Sequence, residues 1–214
     1  MEAPINEVLA AGLILLSDWN QVSNFYDPMC GSGTFLVEAA MIGANIPANI
    51  NREHFAFQDW PDYDEALWKL IRSSQLKRAQ DCYGRIIGYD LNPDTVASAK
   101  LNIANSGLED YIEIHCENFF ETKKPEGPTH LVFNPPYGVR IQGDIPKMYK
   151  SIGDTLKKNY SGAEAWFLTS HMDGLKHVGL RASRKIEIYQ AKLECRFVKY
   201  EMYQGSKKMK YKQV

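Results

Sequence analysis

The chain has 214 residues, a formal net charge of −1 at pH 7, 44% hydrophobic residues and 24% charged residues. This composition is typical of a globular protein, and the length suits one domain with a sizeable buried core. No apolar run reaches the roughly 18 residues of a membrane span, and the start lacks a signal-peptide pattern, so we expect a cytoplasmic protein that makes no membrane contact. The nearly neutral net charge argues against a protein that binds nucleic acid on its own, because such proteins usually carry an excess of Lys and Arg.

The predicted elements alternate between helix and strand along most of the chain. Helices are predicted at 6–17, 34–44, 63–79, 92–107, 147–158 and 171–175. Strands are predicted at 24–27, 85–90, 111–116, 130–133, 163–169, 184–189 and 193–203. This alternation predicts an α/β fold with a mostly parallel sheet, helices on both faces and a C-terminal antiparallel hairpin. We interpret 1–214 as one domain, in which 45–81 is an insertion that either shapes a substrate entrance or covers the sheet.

The four cysteines do not form a recognisable metal site. Cys30, Cys82, Cys116 and Cys195 are scattered, with no C-x-x-C pair and no His at ligand spacing, so we predict no bound metal. Cys30 lies between a strand and two glycines without a base signature nearby, which indicates a small reduced thiol in a tight turn rather than a nucleophile. A basic run at 207–212 is either a solvated tail or a contact for an RNA backbone.

The first predicted strand runs into a glycine loop. Two glycines, Gly31 and Gly33, allow a sharp turn and close approach of a ligand to the backbone. The third glycine of a dinucleotide-binding fingerprint is missing, and the acid expected about 20 residues further on lies much later, at Asp90, which disfavours nicotinamide binding. Asp90 ends the second strand and is predicted to accept hydrogen bonds from ribose hydroxyls. The alternative for Asp90 is a cap of the helix that follows.

The third strand end carries Asn118 and Phe119. An amide can hydrogen-bond the edge of an adenine while a ring packs on its face, so the pair is compatible with adenine binding. Taken alone, an Asn-Phe pair in a loop is uninformative.

The fourth strand end, Asn134-Pro135-Pro136-Tyr137, is the most specific pattern in the chain. Successive prolines hold the backbone extended and supply no N–H donors, so nearby carbonyl groups are free to accept hydrogen bonds. The Asn134 side-chain carbonyl and the Pro135 backbone carbonyl can take both hydrogens of an exocyclic amine, while Tyr137 offers a flat face to the base. The alternative, a purely structural Pro-Pro turn, leaves the flanking Asn134 and Tyr137 unexplained.

In this order, the glycine loop, the strand-end acid and the Asn-Pro-Pro-Tyr motif resemble the class I, Rossmann-like amino-methyltransferases. More narrowly, the chain resembles the methyltransferase domain of bacterial 23S rRNA guanine-N2 methyltransferases. The stretches that carry this likeness are 3–7, 38–42, 60–68, 179–183, 193–196 and 205–208. The resemblance implies a seven-stranded sheet and an N-terminal THUMP-type RNA-binding domain outside this chain, which would agree with the neutral charge.

The resemblance also implies a set of site residues. S-adenosylmethionine, released as S-adenosylhomocysteine, would be bound by Pro4, Asp27, Pro28, Cys30, Gly31, Gly33, Thr34, Asp90, Leu91, Asn118, Phe119 and Asn134. The motif Asn134, Pro135, Pro136 and Tyr137 would be catalytic, and Tyr137 and Arg140 would contact the substrate. Asn118 departs from the pattern, because the family often has an acid there to hold the amine of the donor adenine.

The expected function is methyl transfer to the exocyclic N2 amine of a guanine in 23S ribosomal RNA. The alternatives are a tRNA guanine-N2 methyltransferase, a DNA adenine-N6 methyltransferase, which would share the four-residue motif, and a catalytically retired RNA-binding or assembly domain.

Overall fold

A computed structural model describes residues 5–136, 145–190 and 192–203. The helices are α1 (Glu7–Leu16), α2 (Thr34–Gly43), α3 (Glu65–Leu76), α4 (Pro93–Ser106) and α5 (Ile145–Asn159). The strands are β1 (Asn24–Asp27), β2 (Ile86–Asp90), β3 (Ile112–Cys116), β4 (Thr129–Phe133), β5 (Glu164–Thr169), β6 (Arg184–Gln190) and β7 (Leu193–Glu201). These elements confirm the predicted order of helices and strands, except that the short helix predicted at 171–175 is replaced by a 3-10 helix at Gly174–His177.

The seven strands form one sheet in the order β3-β2-β1-β4-β5-β7-β6. Neighbouring strands from β3 to β5 pair in parallel, whereas β7 runs antiparallel to both β5 and β6. The predicted hairpin is therefore present, with its second strand placed inside the sheet and its first strand at the edge. The predicted α/β fold, mostly parallel and covered by helices on both faces, is confirmed.

Two apolar clusters cover the two faces of the sheet. Successive strand residues point to opposite faces, so Phe25 packs with α1, α2 and α4, while Tyr26 packs on the side of α5. Each cluster contains fully buried aromatic side chains, such as Trp166 on the first face and Phe167 on the second. Because both faces of the central strands are buried, neighbouring residues are apolar alike, and the strands appear in the sequence as continuous apolar runs.

Helix boundaries follow local chemistry. Asn6 caps α1, where its side-chain oxygen accepts hydrogen bonds from the Val8 and Leu9 N–H groups at 3.0 and 3.3 Å. Asn92 caps α4 ahead of Pro93, and Gly107 ends that helix with a φ of 66°. The sequence signals at both ends of α4 are confirmed.

The insertion at 45–81 leaves and rejoins the domain at the amino edge of the sheet, since it connects the end of α2 to the start of β2. Its ends lie together, because the Gln80 N–H donates to the Ala44 carbonyl at 2.9 Å. None of its residues is buried, α3 included. Ile46 packs, partly buried, against the core cluster on one face of the sheet, and the insertion is rooted at the edge opposite the carboxyl ends of the parallel strands. Among the described residues, no helix is long and apolar enough to cross a membrane.

Candidate functional site at the carboxyl edge of the sheet

The strand order brings the predicted site residues to one edge. β1 lies between β2 and β4, so the chain proceeds from β1 to one side of the sheet and later returns to the other side. Ligands of open α/β sheets bind at such a switch point, beyond the carboxyl ends of the strands. Asp27 ends β1, Asp90 ends β2, and Asn118 and Asn134 follow β3 and β4, so this edge carries all four strand-end groups.

The glycine loop after β1 needs its two glycines because both adopt a positive φ. Gly31 has a φ of 54°, and a Cβ built on it would meet nothing within 4 Å, so space for a ligand lies over this peptide. Gly33 has a φ of 84° and precedes α2, where an added Cβ would lie 3.4 Å from the Ala99 Cβ. The loop is also held from α4, because the Asn102 side-chain amide donates to the Ser32 carbonyl at 3.0 Å.

Asp90 connects the second strand to this loop. One carboxylate oxygen accepts from the Gly31 N–H at 3.1 Å, and the other accepts from the Asn92 N–H at 2.9 Å. The cap of α4 is Asn92, whose side chain accepts from the Asp94 N–H at 2.9 Å, so Asp90 is not the capping residue. Asp90 is half-buried, and each carboxylate oxygen can accept a further hydrogen bond. The neighbouring Leu91 is 69% exposed.

Burial sets the protonation of two groups beside the loop. Asp27 is buried, and desolvation raises its pKa well above the usual range, although the Met29 N–H donates to its carboxylate at 3.2 Å. Burial likewise raises the pKa of the Cys30 thiol, with the carboxylates of Asp27 and Asp90 adding to the effect. Cys30 is a free cysteine whose thiol stays protonated. The prediction of a small reduced thiol is consistent with this environment.

Of the predicted adenine-binding pair, Asn118 is partly exposed at the surface and Phe119 is buried. The Asn118 side-chain oxygen accepts from the Phe120 N–H at 3.1 Å, and its amide donates to Glu121 at 2.9 Å. Phe119 is only 2% exposed, and its ring packs against Phe133 and Tyr160. Phe119 is therefore part of the core, and the exposed ring in this turn is Phe120.

Asn134 carries the clearest chemical signal of the site. Its side-chain oxygen is buried and has no hydrogen-bond partner in the part of the chain that the structure describes. A buried carbonyl without a donor costs about 1–3 kcal/mol, and at this edge a ligand can supply the donor. The following Pro135 is buried and Pro136 is exposed, and neither has an N–H to offer. Pro4, Tyr137 and Arg140 lie outside the described residues.

Sequence reasoning missed two residues that shape this edge. Asn102 holds the glycine loop, and its only sequence signal is a polar side chain beside the buried stripe of α4. Phe120 has no sequence signal that distinguishes it from Phe119, because adjacent identical residues give no indication of which one faces solvent. Within the described ranges, no group of three or more His, Cys, Asp or Glu side chains could hold a metal ion.

Known proteins are similar to this chain over almost its whole length. A ribosomal RNA large subunit methyltransferase K/L from a Shewanella species is 32% identical over 212 residues, which cover 96% of this chain and 30% of that protein. The chain thus spans about a third of the length of this curated relative. The crystal structure of SMU.472 complexed with SAH is 35% identical, with a TM-score of 0.88, over 96% of this chain and 55% of that one.

A third relative is described differently. A Listeria monocytogenes protein described as a "predicted N6-adenine-specific DNA methylase" is 30% identical, with a TM-score of 0.82, over 96% of this chain and 53% of that one. The model of the RMKL-like methyltransferase domain matches residues 1–199. The seven-stranded architecture and this match agree with the resemblance seen in the motifs, and the chain belongs to the family of RMKL-like methyltransferase domains.

Proposed function

We propose that this chain is the catalytic domain of an RNA methyltransferase, which transfers a methyl group from S-adenosylmethionine to the N2 amine of a guanine in 23S ribosomal RNA. The observation that carries the proposal is the unpartnered, buried side-chain oxygen of Asn134 at the end of β4. The RNA substrate is supported by the ribosomal RNA large subunit methyltransferase K/L among the relatives. In a longer protein, residues 1–214 would act beside an RNA-binding domain of the THUMP type.

The carboxyl edge offers groups that fit the methyl donor. The open space over Gly31 admits a ligand against the backbone, and Asp90 has acceptor capacity for ribose hydroxyls. Gly33 caps α2 without a side chain, so the positive end of the helix is available to a carboxylate, with Thr34 as its first residue. Asp27, Pro28 and Cys30 would shape the loop, and Leu91, Asn118 and Pro4 would complete the donor site. Phe119, which is buried in the core, would support this site from within the domain. When bound, S-adenosylmethionine supplies an already activated methyl group.

The acceptor side is formed by the Asn-Pro-Pro-Tyr motif. The Asn134 oxygen and the Pro135 carbonyl would accept the two hydrogens of the exocyclic amine and so direct its lone pair towards the donor. Pro136 keeps the turn rigid, and Tyr137 would stack on the base while Arg140 contacts phosphate. A general base is not required before transfer, since the product can lose its proton to water. The base must leave its stack to reach this edge, which favours loop or bulge nucleotides.

The test is a transfer assay with methyl-labelled S-adenosylmethionine on three substrates: protein-free 23S rRNA, tRNA and duplex DNA. Digestion and mass analysis of the nucleosides should give N2-methylguanosine from 23S rRNA. Label in N6-methyladenine would instead establish the activity that the description of the Listeria relative names. Label only in tRNA would refute the ribosomal substrate, and no label in any of the three would favour a retired domain.

Two matched variants separate the roles of the two amides. Asn134→Ala should lower transfer by about 100-fold or more, because a positioned acceptor is lost. It should leave S-adenosylhomocysteine affinity and thermal stability nearly unchanged, because the Asn134 oxygen makes no hydrogen bond among the described residues. Asn118→Ala should mainly weaken S-adenosylhomocysteine binding. Equal loss of binding and transfer in Asn134→Ala would contradict its assigned role.

A further inference from the structure

The insertion carries an apolar surface that the domain itself does not use. α3 is amphipathic, yet none of its residues is buried, and Leu67, Leu70 and Ile71 are 52%, 65% and 41% exposed. An amphipathic helix gains its stability by burying its apolar face, so exposure of that face indicates a partner. Trp60, which precedes the helix, is 62% exposed and extends the same surface.

These side chains form a concavity rather than a flat patch. A cavity of about 280 Å³ is lined by Phe57, Trp60, Asp62, Tyr63, Asp64, Leu67, Trp68 and Ile71. The ring of Phe57 lies edge-on to Trp68 with centroids 5.0 Å apart, and Tyr63 lies 6.1 Å from Phe57. The walls are thus aromatic, and two carboxylates stand at the lining. We name this concavity the aromatic cavity.

The charge at the lining of the aromatic cavity is negative. Two carboxylates, Asp62 and Asp64, stand among the eight lining residues, and none of the eight is Lys or Arg. The nearest ion pair of α3, between Lys69 and Glu65 at 2.7 Å, lies outside this lining. Asp62 makes no hydrogen bond or ion pair among the described residues. This field repels phosphate groups, so an RNA strand is a poor occupant, whereas a cation is attracted by both the carboxylates and the ring faces.

The aromatic cluster already holds one cation on another of its faces. The Arg52 guanidinium lies 5.1 Å from the centroid of the Phe55 ring, and Phe55 in turn contacts Phe57 and Trp68. This shows that arginine is compatible with these rings at the distance of a cation–π interaction.

We propose that the aromatic cavity is a docking site for an arginine- and lysine-rich segment of a partner protein, which inserts a cationic side chain between Trp60 and Trp68. The apolar face of α3 then covers the aliphatic residues of the same segment. Because the insertion is rooted at the amino edge of the sheet, the partner would leave the carboxyl edge open. This surface is separate from the proposed methyl-transfer site and does not depend on its substrate.

The test uses a short amidated peptide rich in Arg and Leu and a matched peptide in which neutral citrulline replaces each Arg. Binding is followed by the indole N–H resonances of the four tryptophans, with Trp19 and Trp166 as buried internal references. We expect saturable shifts at Trp60 and Trp68 with the Arg peptide, and affinity about three- to tenfold weaker for the citrulline peptide. Asp62→Asn should weaken binding of the Arg peptide by a similar factor. In Trp60→Leu, the Arg peptide and the citrulline peptide should bind with equal affinity.

Three outcomes would overturn the proposal. Equal affinity for the two peptides would mean that the cavity is only an apolar surface. Shifts of the same resonances with an oligouridine RNA, but not with the Arg peptide, would make the insertion a base-stacking surface. Concentration-dependent dimerisation that is lost in Leu67→Ser, without peptide binding, would identify a second copy of this chain as the occupant. Asp62→Asn and Trp60→Leu change exposed residues, so unchanged Trp19 and Trp166 signals verify that both variants are folded.

Discussion

Two glycines in the middle of helices should respond to the same substitution with opposite signs. Replacement of Gly by Ala inside an exposed helix normally stabilises a protein by about 0.5–1 kcal/mol, because Gly loses more backbone entropy on folding. Gly12 in α1 meets this condition, since a Cβ added there would have nothing within 4 Å. Gly153 in α5 does not, since its Cβ would lie 1.7 Å from the Val178 carbonyl oxygen. The segment after β5 therefore crosses α5 in direct contact with its backbone.

This overlap sets the expected loss of stability in Gly153→Ala. A normal contact requires a separation of more than 3 Å, so α5 and the segment would have to move apart in a closely packed region. We expect a net loss of about 1–3 kcal/mol in the free energy of unfolding. For a chain of this size, in which 1 kcal/mol shifts the melting temperature by about 2–4 °C, we expect a fall of about 2–12 °C in Gly153→Ala and a rise of about 1–4 °C in Gly12→Ala. Thermal unfolding followed by circular dichroism measures both. A stabilised Gly153→Ala would refute the close approach of the segment to α5.

Three further predictions concern single ionisable groups. Burial lowers the pKa of His130 to about 4, so the neutral ring is the folded form, and stability present above the unfolded pKa of about 6.5 is lost as the pH falls towards 4. Between about pH 8 and about pH 5 the free energy of unfolding should fall by about 2 kcal/mol, which urea unfolding can measure. His130→Gln should remove this pH dependence. If the variant loses stability towards acid as steeply as the original protein, His130 is not its source. The buried Cys30 should resist a thiol reagent in the native protein while the exposed Cys116 reacts, and rapid native labelling of Cys30 would show that its burial is wrong. Asp90→Asn should weaken S-adenosylhomocysteine binding about tenfold or more by calorimetry, and unchanged affinity would remove Asp90 from the donor site.

The fold could be predicted from the sequence because its signals are local. β1 was predicted with its observed bounds, and the signals at Asn92, Pro93 and Gly107 delimit α4 correctly. The short helix expected at 171–175 was displaced, since the structure has a 3-10 helix at Gly174–His177 instead. The position of this 3-10 helix depends on the packing of α5 against the segment after β5. The spacing of apolar residues in the sequence does not reveal such a contact.

The site could be predicted only in part, because its features arise between strands. The strand ends marked Asp90 and Asn134 as candidates, but the bond from the Gly31 N–H to Asp90 depends on the pairing of β1 with β2. The burial of Phe119 depends on its contacts with β4 and the end of α5. The exposure of the apolar face of α3 could not be predicted either. Apolar residues at helical spacing form the same sequence pattern whether the helix packs on the core of its own domain or on a partner protein.

The closed base of the insertion makes this part of the chain separable. The Ala44 carbonyl and the Gln80 N–H lie 2.9 Å apart, and the Asn45 side-chain amide reaches the Arg78 carbonyl at 3.0 Å, so the excursion starts and finishes at nearly one point. A short turn between these two positions would preserve every strand neighbour and leave the order of the sheet intact. The domain can therefore accept a foreign reporter in place of the insertion, without rebuilding the carboxyl edge.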